Sequence, residues 1–217
     1  MCEAQDSLNS PNFSLQFQAE FAELLRWRRD VRHFKNDPVD AGLLDDLLRQ
    51  AMLAPSVGFC QPWRWVKVND AGRRAAIIDN FTASNEAAHA KYDAERAEHY
   101  WRLKLAGLVE APVHIAVFAD LDPVAGGGLG RQTMPETSRW SVVMAIHTLW
   151  LAAQAVGLGM GWVSILDPGA AQAALDVPTE WTLIAYLCLG WPEEPSDLPL
   201  LERERWQARV AGLILER

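Results

Sequence analysis

The chain has 217 residues, half of them hydrophobic, which is enough for one domain with a substantial buried core. Its 20 basic and 28 acidic residues leave a formal charge of −8, which argues against a general nucleic-acid binder or an anionic-membrane binder, since either favours a basic face. Three widely separated cysteines, Cys2, Cys60 and Cys188, have no metal-ligand spacing, and their odd number fits a reduced compartment better than a disulfide scaffold.

The first residues lack a basic region followed by an apolar run, so no secretory signal is expected and the cytoplasm is the expected location. Residues 1–15 read as a flexible N-terminus. Helical spacing then runs through "LQFQAEFAELLRWRR" and ends in basic residues, which complement the negative end of a helix dipole. Asp40 is a good N-cap for a second helix, with Leu44, Leu47, Leu48 and Ala51 on one face. Pro55 disfavours helix at Ala54 and closes that element. Residues 63–68, "WRWVKV", alternate as a strand.

Residues 72–107 are polar and helix-favouring without proline, reading as one long helix or two short ones. Residues 113–120 form a second, nearly continuous apolar strand. The loop "LDPVAGGGLGRQTMPET" is long and rich in glycine, as lids and binding loops often are. The most apolar helix spans 138–156, with Gly157 just beyond its end. Its His147 reads as a hydrogen-bonded core residue rather than a ligand. "GMGWVSIL" reads as a third strand, Asp167 and Pro168 as the start of a short helix, and residues 181–191 as a fourth strand. A basic tail around Arg203, Arg205 and Arg209 follows. No repeat or composition break marks a second domain, so residues 1–217 are expected to form a single α+β domain.

"RRDVRHF", residues 28–34, is the densest basic cluster in this acidic chain. Arg28 and Arg32 lie four apart, so on a helix end both guanidiniums would converge on one anion. A solvated basic helix end is the alternative. "APSVGFCQPWRW" offers Ser56 in a turn able to aim a hydroxyl and backbone N–H groups at a ring system, or it is a plain helix-to-strand connection. The alternating glycines of "GLGMGWVS" point to close approach of a backbone or of a flat ligand, or to tight packing. "GGGLG" lacks the Lys-Ser/Thr of a phosphate loop, no two histidines have metal spacing, and no serine-hydrolase elbow occurs.

Together "RRDVRHF", "APSVGFCQPWR", "GLGRQTMPETSRWS", "LGMGWVSILDP" and "WTLIAYLCLGWPEE" resemble the flavin-binding nitroreductase fold, and within it the flavin-destroying 5,6-dimethylbenzimidazole synthase family. The marks span roughly residues 24 to 209. The resemblance implies a homodimer built on a mainly antiparallel sheet flanked by helices. It implies that Arg28, Arg29, Val31, Arg32 and Arg209 contact FMN, with Ser56 on the flavin and Leu105 in a segment covering it. Asp30 stands where ordinary nitroreductases carry Ser or Thr. It is implied, with Ser164, to be a catalytic group facing the ring or ribityl chain.

The activity so implied is O2-dependent fragmentation of reduced FMN to 5,6-dimethylbenzimidazole and D-erythrose 4-phosphate, for the lower ligand of cobalamin. FMNH2 is the substrate and a separate NAD(P)H-dependent flavin reductase the partner, with no metal, nucleic acid or membrane. The loop at 125–137 and the helix at 72–107 are expected lids. Alternatives are an NAD(P)H-dependent nitroreductase with resident FMN, and a flavin-binding protein without catalysis.

Overall fold

The computed structural model describes residues 11–89 and 107–217. Helix α1, Leu15–Trp27, begins at Ser14, whose side chain accepts from the Phe17 N–H. α2, Ala41–Ala51, is capped by Asp40 through the Leu43 N–H, and its buried residues are Leu44, Leu47, Leu48 and Ala51, the face read from the spacing. Strand β1, Trp63–Lys67, leads to α3, Ala71–His89, and the short α4, Gly107–Glu110, precedes β2, Val113–Asp120. α5 covers Thr137–Ala155, β3 Gly159–Val163, α6 Pro168–Leu175, β4 Trp181–Gly190 and α7 Leu200–Arg203. Asp167 caps α6 and Pro168 opens it, as its sequence indicates.

The four strands run in the order β1-β2-β4-β3, every neighbouring pair antiparallel. Period-2 alternation sends their side chains to opposite faces. Ile115, Val117, Ala119, Leu187 and Leu189 pack with α2 and α5, while Ala116, Phe118, Tyr186 and Cys188 pack with Ile77 of α3 and Ala171 and Leu175 of α6. The result is an α+β sheet with helices on both faces.

α5 is two-faced. Val142, Ala145, Ile146 and Leu149 are buried, whereas Trp140, Val143 and Met144 are exposed. His147 lies on the exposed face, which corrects its reading as a core residue: only one face of the apolar run around it packs into the chain's core. α1 buries none of its residues, and Phe13, Phe17, Phe21 and Leu25 remain open.

The glycine loop is seated rather than free-standing. A Cβ on Gly126 would lie 2.6 Å from the Gly58 carbonyl oxygen, and one on Gly58 would lie 2.7 Å from that of Leu129. Both residues have positive φ, so glycine is needed twice over. The loop expected as a lid packs its backbone against the turn that carries Ser56. The expected helix continuing to residue 107 lies outside the described residues beyond His89.

Candidate functional site

The basic motif is not helical. α1 stops at Trp27, and Arg28 already has extended geometry (φ −64°, ψ 122°). The chain then runs beside β3, with Asp30 in a parallel bridge to Met160 and the Val31 N–H donating to the Met160 carbonyl at 3.0 Å. The glycines of β3 make this approach possible. A Cβ on Gly159 would meet Val31 Cγ2 at 2.6 Å, and one on Gly161 would meet the Val31 carbonyl oxygen at 2.3 Å. Of the readings open to that glycine pattern, close backbone approach is the one realised.

Extended backbone also separates Arg28 from Arg32, so the helical convergence expected of them does not occur. Arg28 places its guanidinium carbon 4.8 Å from the centroid of the Trp150 ring. Arg32 donates through Nε to Asp30 Oδ2 at 3.1 Å. The other carboxylate oxygen, Oδ1, accepts the Trp162 N–H at 3.0 Å. Asp30 is therefore held at both oxygens while about a third of its side chain stays exposed.

Cationic charge gathers at the other end of the segment. Burial lowers the Arg28 pKa, Asp30 opposes that shift, and Arg209 adds to it. Arg29 is lowered first by burial, then by Arg28 and Arg209. Three guanidiniums repelling one another concentrate positive charge that an anion would relieve. Arg29 is aimed by the Asp197 carbonyl oxygen, which accepts from its Nε at 3.0 Å and from a second guanidinium nitrogen. The Arg29 carbonyl in turn accepts the Trp150 indole N–H at 3.0 Å. On the outer side, a cleft of about 580 Å³ lies between residues 27–35 and 191–203, lined by Trp27, Arg29, Arg32, Trp191, Glu193 and Arg203 among others.

The remaining expected residues scatter. Ser164 sits one position past β3, exposed. Ser56 accepts the Gln61 N–H at 3.0 Å within a turn where Gly58, Phe59 and Gln61 all have positive φ. The neighbouring Val57 N–H reaches Ser141 of α5 at 3.0 Å. Trp150, under Arg28, lies nine residues further along that helix, about 13 Å at helical rise. One chain thus keeps Ser56 apart from the arginines. Leu105 lies outside the described residues. Among the described residues no cluster could hold a metal, and no helix is long and apolar enough to cross a membrane.

Trp150, Trp162 and Asp197 are the parts that sequence reading misses. Trp162 and Asp197 act through backbone atoms, which carry no residue signature. Trp150 is one of ten tryptophans, each most simply read as packing.

Comparison with known proteins matches residues 25–191 to the nitroreductase family model. The chain is 58% identical over 207 residues to the 5,6-dimethylbenzimidazole synthase of Rhodospirillum rubrum, covering 95% of this chain and 98% of that protein. It is 49% identical over 199 residues to the protein of the same name from Rhodobacter capsulatus, covering 92% and 96%. Among solved structures, iodotyrosine deiodinase bound to FMN and 3-iodo-L-tyrosine superposes with a TM-score of 0.71 at 24% identity, over 90% of this chain and 97% of that one, a likeness of fold.

Proposed function

The chain belongs to the nitroreductase family, and on that footing we infer that it fragments reduced FMN with O2 to give 5,6-dimethylbenzimidazole and D-erythrose 4-phosphate. It is an enzyme, an oxygen-dependent flavin-cleaving oxidoreductase, and its product is the lower ligand of cobalamin. The observation that carries this reading is the match, along nearly the whole chain, to two synthases of that name.

FMN suits the residues present. A phosphate dianion would offset the mutual repulsion of Arg28, Arg29 and Arg209, each charge-assisted hydrogen bond contributing about 1.5–3 kcal/mol. The reduced flavin supplies both the electrons taken up by O2 and the carbon skeleton of the product. Asp30, fixed at both oxygens with about a third of its side chain exposed, can accept a further hydrogen bond from the ribityl chain or ring edge. Val31 commits its N–H to Met160, and its part is to seat Asp30 against β3. Arg32 adds positive charge beside the carboxylate. The exposed Ser164 hydroxyl would supply a second polar contact to the ring.

The working unit is a homodimer. Its support is the unpartnered apolar surface of α1, the open face of α5, and a C-terminal tail exposing Val210, Leu213, Ile214 and Leu215. A second copy would also bring a Ser56 to the arginines, which one chain holds apart. Because each turnover destroys a flavin, fresh FMNH2 must come from a separate NAD(P)H-dependent reductase, and the setting is the cytoplasm.

The test is to mix the purified chain with FMNH2, admit air, and look for 5,6-dimethylbenzimidazole by mass spectrometry. Product with matching flavin loss supports the reading. Intact FMN with only hydrogen peroxide formed overturns it.

A further inference from the structure

Trp150 touches the basic segment twice without belonging to it. It is half-buried on α5, in the last third of the helix, and packs against the core cluster on that side of the sheet. Its indole N–H donates to the Arg29 carbonyl at 3.0 Å. Its ring face lies 4.8 Å from the Arg28 guanidinium carbon. Its ring centroid is also 6.5 Å from that of Trp162, whose backbone N–H grips Asp30. A single side chain on a rigid helix therefore fixes the backbone of the motif, the direction of one guanidinium, and the strand that holds the carboxylate.

We propose that Trp150 is the positioning residue for phosphate recognition, acting through Arg28 on the phosphate of FMN. The proposal rests on the reading above, in which Arg28 binds that phosphate. An arginine free in water samples many rotamers and keeps its hydration, and both must be given up when an anion binds. A guanidinium already laid on an indole face has surrendered part of each, because cation–π contact orients the plane and removes water from one side. The edge N–H groups of the plane remain available to paired phosphate oxygens. The lowering of the Arg28 pKa by burial agrees with a partly dehydrated cation.

The discriminating measurement compares FMN with riboflavin, which carries the same ring and ribityl chain without the phosphate. Affinities of the oxidised flavins for the full chain are read by fluorescence quenching, for wild type, Trp150→Met, Trp150→Phe and Arg28→Gln. Met fills much of the indole volume without a π face. It should lower the FMN-to-riboflavin affinity ratio by about 3- to 30-fold, the range of one partly desolvated cation–π contact. Phe keeps a weaker ring and should lower the ratio by about 2- to 5-fold. Should the Met variant fail to fold, the Phe variant reads the same quantity.

A Trp150 that merely supports the fold would weaken both ligands alike. An unchanged ratio in the Trp150 variants, alongside a collapsed ratio in Arg28→Gln, therefore overturns this proposal alone. An unchanged ratio in Arg28→Gln overturns the phosphate reading beneath it.

Discussion

Asp30 Oδ1 accepts the backbone N–H of Trp162 at 3.0 Å, tying the carboxylate of a segment just past α1 to a strand some 130 residues later. The bond places a charged group at the sheet edge with a fixed direction. Arg32 occupies the second oxygen at 3.1 Å.

Asp30→Asn should separate binding from chemistry. An amide oxygen still accepts from Trp162, so the segment keeps its place and FMN affinity stays largely intact. Product formation should fall by about 100-fold or more, the usual weight of a positioned acid–base group. Flavin titration beside product analysis checks both halves. Loss of flavin affinity with retained chemistry in the bound fraction would make Asp30 a structural partner of the arginines.

Gly161→Ala tests the close approach. The new methyl would lie 2.3 Å from the Val31 carbonyl oxygen, and backbone cannot yield as a side-chain tip does. Overpacking of this kind costs about 1–3 kcal/mol, so thermal unfolding should shift down by about 2–12 °C in a chain of this size. FMN affinity should fall with it. A variant melting and binding like wild type would mean the segment does not sit against β3.

Acid should destabilise the chain through His114. Its Nδ1 lies 2.9 Å from the Tyr186 hydroxyl in the sheet interior, and burial, aided by Arg74, lowers its pKa to about 4. Burial pushes the Tyr186 phenol up, so that partner stays neutral. Between pH 6.5 and about 4 the unfolded histidine binds a proton that the folded one does not, so stability rises with pH across that window. The full contribution, on the order of 3 kcal/mol, is present above pH 6.5 and lost on descending to 4. Urea melts of His114→Gln should show a flatter pH dependence there. An equal slope in wild type and variant would clear His114 of the effect.

Charge placed on α1 should dissolve the dimer proposed above. Phe17 and Phe21, stacked at 6.2 Å between ring centroids, are both exposed in the single chain. Phe17→Glu with Phe21→Glu should leave the melting of the isolated subunit nearly unchanged, because neither residue enters its core. Sedimentation should show monomers, with flavin affinity reduced. A sedimenting dimer in the double variant would assign the contact to α5 or the tail.

Much of the fold is legible in the sequence because local chemistry decides it. Asp40 and Asp167 cap helices by a hydrogen bond three residues away, and the α2 face follows from spacing alone. β2 reads correctly because six apolar positions in eight, bounded by Pro112 and Asp120, leave no other buried element of that length. The site is less legible. Arg28 and Arg32 share a face only if the backbone is helical, and pairing with β3, a long-range event, makes it extended. His147 misleads for a similar reason: an apolar run does not say which of its faces meets the chain's core and which stays exposed. The Gly159 and Gly161 pattern left two outcomes open, and only the position of Val31 decides between them.

The bridge between Asp30 and Met160 makes the segment after α1 an extra rung on the sheet. Two amide protons, those of Val31 and Trp162, close that rung from opposite directions. Their exchange with deuterated solvent should be slow and should quicken together, because detaching the segment from β3 frees both in one opening event. Followed residue by residue, that pair reports how often the carboxylate leaves its post, in a protein whose core amides need not have opened at all.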